Sequence, residues 1–235
     1  MRDLRSHLRL WPAAALGLLA DLWSKDWAFS HLSANPDAST SMEIIPHLMT
    51  FRRSLNTGAL FGMGKGLVPL FIAASVIALA FVLYLFYHSS RERRSLHVAL
   101  GLVLAGALGN MYDRVFMVAD VVHYTVGGRE YADAVKRLPD LDYPGVKMVG
   151  TWPNGEHPRP FPDSLQPRFH QQGVVRDFVK MEPRFTIAGH HIEIWPWVFN
   201  VADVLLVVGV GLLMLNFWWE RKAERAVHPQ ASQSP

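Results

Sequence analysis

The run LVPLFIAASVIALAFVLYLFY, from Leu67 to Tyr87, holds 21 residues and no formal charge. At about 1.5 Å per residue, a helix of that length crosses a hydrocarbon core of roughly 30 Å. Three further stretches follow the same rule. Leu96 to Tyr112 runs into Asp113 and Arg114, and Ile194 to Trp219 has Asp203 as its only charged side chain. Leu10 to Phe29 is apolar through Ala20 and then carries Asp21, Lys25 and Asp26. A chain that is 50% hydrophobic and 18% charged, with its apolar residues in blocks, reads as a membrane protein rather than a soluble enzyme. The expected spans are residues 10–29, 67–87, 96–115 and 194–219, the last entered through a Trp-Pro-Trp sequence that suits an aromatic belt with proline in the first turn. The absence of cysteine removes disulfides, thiol catalysis and thiolate metal sites. No Lys/Arg block is interleaved with aromatics, so the net charge of +3 relates to membrane orientation rather than to nucleic acid.

The basic residues fall in three clusters: Arg2, Arg5 and Arg9; Arg91, Arg93 and Arg94; and Arg221, Lys222 and Arg225. In a four-span topology all three lie on one side, which puts both termini in the cytoplasm. A cleaved signal peptide is the alternative for the first segment, but no small-x-small site follows it, and Asp21 and Lys25 stand one helical turn apart. Of the two outer loops, Ser30 to Gly66 contains MEIIPHLMTFRR, which suits a short surface sheet. The other, Phe116 to Glu193, has seven of the fifteen prolines between Pro139 and Pro167, so Ala119 to Gln172 reads as a mostly irregular insertion. The tail 226–235, rich in Gln, Ser and Pro, is expected to be disordered.

Ionisable groups inside a bilayer are costly and need a reason. Counted from the ends of their helices, Asp21, Asn110 and Asp203 all fall in the outward half of the membrane, where one cavity can hold their polar atoms. Gly106 and Asn110 share a helix face, as do Asn110 and Arg114, and as do Asn200 and Asp203. Gly106 and Gly109 let neighbouring backbones approach. Asp21 pairs with Lys25 and Asp113 with Arg114 in the simplest reading. Asp203 has no basic residue within a turn, so its partner comes from elsewhere. The candidate is Asp177, in the β-prone run GVVRDFVKM. Two close carboxylates share a proton, so that one activates water while the other polarises a carbonyl, which is aspartic peptidase chemistry.

Five blocks in order carry a family resemblance: Asp21-Leu-Trp-Ser-Lys25, Asn56-Thr-Gly58-Ala-Leu-Phe61, Gly106-Ala-Leu-Gly109-Asn110-Met-Tyr-Asp113-Arg114, Val174-Val-Arg-Asp177-Phe178 and Phe199-Asn200-Val-Ala202-Asp203. The chain resembles the lipoprotein signal peptidases (signal peptidase II), bacterial membrane aspartyl proteases that remove the signal peptide from diacylglyceryl-modified prolipoproteins on the amino side of the lipidated cysteine. The resemblance implies Asp177 and Asp203 as the catalytic pair. It implies Asn56, Asn110, Arg114 and Asn200 as substrate-binding residues. It makes Asp21, Lys25, Gly106, Gly109, Asp113 and Ala202 structural supports, with Gly58 and Phe61 shaping the outer loop. The implied architecture is an all-α, four-helix membrane peptidase over residues 1–225, with a small extracytoplasmic β-sheet and a long inserted loop. The implied enzyme is monomeric, sits in the bacterial inner membrane with its active site near the outer face, and uses no cofactor or metal.

Two departures from the family pattern stand out. The family passes from the Asp-Arg block to the catalytic loop in a handful of residues, whereas 64 positions separate Asp113 from Asp177. Asp120, close behind Arg114, is therefore a rival for the first catalytic position; Asp177 is favoured by its apolar frame and following Phe178. The second departure is Ala105, where glycine is usual. Other chemistry fits less well. His190, His191 and Glu193 lack metal-ligand spacing, and Ser24 and Lys25 diverge by about 100 degrees on a helix. An ion-coupled transporter predicts polar groups at several depths and inverted repeats. A non-catalytic scaffold predicts that Asp203 needs no carboxylate.

Overall fold

The computed structural model describes residues 3–32, 41–58, 68–182, 184–187, 190–193, 195 and 197–227. Four long helices occupy the four apolar stretches: α1 (Leu4–His31), α2 (Val68–His88), α3 (Arg94–Phe116) and α4 (Val201–Val227). By length and hydropathy alone, Arg94–Phe116 and Val201–Lys222 are able to cross a membrane, and Ile72–His88 forms a shorter apolar helix. The first helix fails that test because of its charges, and those charges are buried: Asp21 and Lys25 are both 0% exposed. It is thus an integral wall of the bundle. Leu10 and Ala14 of α1, Val82 and Phe86 of α2, and Leu96, Leu100, Val103 and Leu104 of α3 form the apolar core.

Arg9, Arg91 and Arg93 of the first two basic clusters, and Glu220 beside the third, meet at one end. Arg9 donates to the carbonyl of Arg91 at 2.9 Å, and Arg93 pairs with Glu220 at 2.7 Å. The strands gather around the opposite helix ends. β1 (Met42–Ile45), β2 (Met49–Asn56), β8 (Val175–Met181) and β11 (Val198–Phe199) form an antiparallel sheet in the order β1-β2-β8-β11.

The all-α description is corrected by the rest of the chain. Residues 119–172 are not irregular: β3 (Val118–Val126), β4 (Arg129–Arg137), β5 (Val146–Thr151), β6 (Glu156–Pro162) and β7 (Arg168–Gly173) build a five-stranded antiparallel sheet ordered β6-β5-β4-β3-β7. Its prolines sit on the edge strand β6, in turns and at the start of a 3-10 turn (Pro139–Leu141), where a missing N–H costs the ladder nothing. Gly127 and Gly128, both at positive φ, turn the β3–β4 hairpin. A two-stranded ribbon of β9 (Arg184–Ile187) and β10 (His190–Glu193) completes the strands among the described residues.

The fourth helix also starts later than residue 194, because Val198 and Phe199 pair with Lys180 and Val179 of β8. At its other end α4 runs to Val227, so Ala226 and Val227 are helical, and the remainder of the expected tail lies outside the described residues.

The insertion does not pull the helices away from β8, because its first and last strands pair: Val118 opposes Gly173, and Val174 donates to the carbonyl of Met117 at 2.9 Å. A Cβ at Gly173 would strike the carbonyl of Arg114. Trp152 fastens the insertion further, donating from Nε1 to the carbonyl of Val118 at 2.9 Å and accepting from Arg53 at 2.9 Å. Between α3 and α4, a Cβ at Gly106 would stand 2.5 Å from the carbonyl of Ala202 and 2.7 Å from Leu206. Ala105 takes the space left by Gly17, whose own Cβ would fall 2.8 Å from that methyl. Gly106→Ala is expected to force α3 and α4 apart and destabilise the fold by about 1–3 kcal/mol, seen as a lower thermal midpoint in detergent micelles.

Candidate active site

The site is assembled at the start of α4. Asn200 Oδ1 accepts from the backbone N–H of Asp203 at 3.0 Å, while Asp203 Oδ2 accepts from the backbone N–H of Asn200 at 3.2 Å. This reciprocal capping box sets Asp203 in the first turn, at the positive end of the helix. The backbone N–H of Ala202, itself fully buried, is taken by Asp21 Oδ1 at 2.8 Å. One helix thus supplies the acceptor that caps another.

Behind this cap runs a ladder of buried charge. Lys25 Nζ lies 2.8 Å from Asp21 Oδ2 and 3.4 Å from Asp113 Oδ2, and all three side chains are 0% exposed. Asp113 Oδ1 accepts from Arg176 Nε at 3.2 Å and from its terminal nitrogen at 2.9 Å, and Oδ2 accepts from the Arg176 backbone N–H at 2.9 Å. The pairing of Asp113 with Arg114 is therefore corrected: its partners are Lys25 and Arg176, since helix neighbours point about 100 degrees apart. Arg114 instead donates to the carbonyl of Gly58 at 2.6 Å, and its charge acts on both Asp177 and Asp203. Gly109 makes room for this arrangement, since a Cβ there would collide with the Asp21 carboxylate.

Anchored by Arg176, strand β8 delivers Asp177 into the cluster, where it is 2% exposed. Asp177 Oδ1 accepts from Asn200 Nδ2 at 2.6 Å, and the Asn56 side chain bonds it as well. Asn56 is on β2, two residues from Ser54, the cross-strand partner of Asp177. Asn110 completes the ring: Nδ2 donates to Asp203 Oδ1 at 2.9 Å, and Oδ1 accepts from Lys25 Nζ and Asn200 Nδ2, each at 3.1 Å. Burial first, and the charge of Asp203 second, push the Asp177 carboxyl well above its ordinary 3.8, against the opposing pull of Lys25, Asn56 and Asn200.

Of the residues singled out from sequence, Asp21, Lys25, Asn56, Asn110, Asp113, Arg114, Asp177, Asn200 and Asp203 join one network, with Gly58, Gly106, Gly109 and Ala202 as its backbone and spacing elements. Phe61 lies outside the described residues. Asp120 stands elsewhere, in the inserted sheet, where Oδ2 accepts from the backbone N–H of Arg137 at 3.2 Å. Arg176 is the member that sequence reasoning missed. An arginine beside an acid in an apolar frame, with one buried aspartate lacking a well-placed partner, is the signal that would have found it.

The family model described as signal peptidase (SPase) II matches residues 13–219. A lipoprotein signal peptidase of Desulfitobacterium hafniense is 29% identical over 185 residues, covering 79% of each chain. One from Clostridium novyi is 31% identical over 112 residues, covering 46% of this chain and 73% of the relative. A solved structure described as a bacterial membrane enzyme superposes with a TM-score of 0.55 at 20% identity, over 95% of this chain and 92% of that one. A second so described gives 0.51 at 21% identity, over 87% and 89%.

Two outcomes follow from the buried charges. Lys25→Met strands the buried Asp21 carboxylate without its cation, leaves Asp113 with Arg176 alone, and should cost about 3–5 kcal/mol in unfolding free energy. Asp177 holds its proton more tightly folded than unfolded, so stability should fall as pH rises from the ordinary carboxylate range toward its raised pKa. Asp177→Asn should therefore raise the thermal midpoint at pH 7 and show a smaller gain at pH 4.

Proposed function

The chain belongs to the signal peptidase II family, a family of membrane proteases, and on that premise we propose that Asp177 and Asp203 form one catalytic dyad acting on diacylglyceryl-modified prolipoproteins. The bond cleaved is the one on the amino side of the lipidated cysteine. The observation that carries this reading is that a single residue, Asn200, holds both acids: its side chain donates to Asp177 and its backbone N–H to Asp203.

Asp177, the more buried acid, carries the shared proton and donates a hydrogen bond to the scissile carbonyl. Asp203, half-buried and held as an acceptor by Asn110 and the Asn200 backbone, takes a proton from the attacking water. The carbonyl oxygen gains the Asp177 proton as the tetrahedral diol forms. On collapse that proton returns to Asp177, Asp203 protonates the departing amine of the cysteine, and the C–N bond breaks. Arg114 and the asparagines keep the two acids apart from one another's full charge and orient the substrate backbone.

The enzyme works as a four-span monomer with both termini in the cytoplasm and the dyad near the outer face of the inner membrane. The gathering of Arg9, Arg91 and Arg93 with Glu220 at the end opposite the strands supports this orientation. The signal helix enters sideways from lipid, and the diacylglyceryl chains stay in the outer leaflet.

With a synthetic lipidated precursor, Asp177→Asn and Asp203→Asn should each lower kcat by about a hundredfold to ten-thousandfold. Asp120→Asn should cleave at the wild-type rate. Full activity in Asp177→Asn with none in Asp120→Asn would transfer the role to the inserted sheet.

A further inference from the structure

The two edges of the inserted sheet are built differently. On β6, Pro160 and Pro162 oppose Met148 and Val146, leaving Arg159 and Phe161 between them to carry the ladder to β5. Together with Pro158, these prolines remove donors from the outward side of that edge, which blocks the addition of another strand. The opposite edge, β7, reads RFHQQG and has no proline. Among the described residues it pairs only with β3, and Arg168, His170 and Gln171 are exposed.

The phase of β7 follows from its neck. Val174 donates to Met117, and in an antiparallel ladder residues alternate between facing the partner and turning away. With Gln172 opposite Ala119 and His170 opposite Val121, those two face β3. Gly173, Gln171 and Phe169 therefore turn their backbone N–H and C=O groups outward.

This open edge leads into the site. β7 continues through Gly173 and Val174 into β8, so Asp177 lies only four residues, about 13 Å of extended chain, beyond its end. Gln172 Nε2 donates to the carbonyl of Thr57 at 3.2 Å, next to the Gly58 carbonyl held by Arg114. Direction matches as well. β7 runs toward the dyad, and the polypeptide on the carboxyl side of the cleaved bond runs away from it, so the two meet antiparallel like every other pair in this sheet.

We propose that the outward edge of β7 is a docking strand for the substrate polypeptide that follows the lipidated cysteine, which adds to the inserted sheet as an extended sixth strand. The proposal rests on the peptidase reading above and extends it to the role of the insertion. Recognition is through main-chain hydrogen bonds, so it accepts many sequences but requires free backbone N–H groups in the segment from about the fourth residue after the cleaved bond.

The test uses the full chain in detergent micelles and four lipopeptides: one ending two residues after the cysteine, one continuing for about eight, and two versions of the longer one, N-methylated on alternate backbone nitrogens in one phase or the other. The longer peptide should show a KM about threefold to tenfold below that of the short one, the worth of one or two net hydrogen bonds, and methylation in one phase should abolish the advantage. Gln171→Pro, which copies the device on β6 at an N–H outside the ladder, should erase the same advantage. Equal KM values for all peptides with normal cleavage would overturn the docking edge while leaving the peptidase reading intact. An undiminished advantage in Gln171→Pro, or equal loss of both peptides in that variant, would also overturn it. Failure of the wild-type chain to cleave any of the four would refute the peptidase reading itself.

Discussion

The Lys25 ammonium, sealed from solvent between the carboxylates of Asp21 and Asp113, is the contact on which the other elements depend. Placing a cation there costs several kcal/mol of hydration, which only well-made partners offset. Each partner is itself committed to another element. Asp21 spends its second oxygen on the first turn of α4, and Asp113 grips both the side chain and the backbone of Arg176 on β8. The ladder therefore joins α1, α3, α4 and the central sheet through one line of charge. The two acids proposed as the dyad stand at its ends, one residue beyond each anchored group: Asp177 follows Arg176, and Asp203 follows Ala202.

That arrangement explains how the chain tolerates a large insertion beside its most sensitive region. What the site needs is that α3 end near the start of β8, and the paired neck at Val118 and Gly173, with Val174 bonded to Met117, meets that need whatever lies beyond it. The inserted sheet carries its own apolar cluster of Val122, Val135, Val149 and Phe161, so it does not draw on the helical core. Trp152, Arg53 and Gln172 then fasten it to β2 and the loop after it, making it a wall of the site rather than a free appendage.

Much of this is legible in the sequence because a bilayer punishes unpaired polarity. Asp21, Asn110 and Asp203 are conspicuous inside apolar runs, and simple helix rise puts them at one depth, where the structure joins them through Lys25 and the Asn110 amide. The partner of Asp113 is not legible, since Arg114 is adjacent in sequence and Arg176 becomes adjacent only after the sheet forms. The inserted sheet is hidden for a different reason. Proline marks loops on average, but an edge strand with its N–H side outward accepts proline freely, so β6 disguises itself as irregular chain. The Gly-Gly turn directly after the β-branched run VVHYTV is the stronger sign. The start of α4 depends on the capping box and on Val198 and Phe199 pairing with β8, and hydropathy alone carries neither signal.

The central claim is that Asp177 and Asp203 hold one proton between them at neutral pH. Infrared difference spectroscopy of the carboxylic C=O stretch, comparing the wild-type protein with Asp177→Asn and with Asp203→Asn, reads that proton directly. One exchangeable carboxylic band at pH 7, lost in Asp177→Asn and kept at a shifted frequency in Asp203→Asn, where burial still holds the Asp177 proton, is the predicted result. A wild-type spectrum with no such band, or a band unchanged in Asp177→Asn, would contradict it.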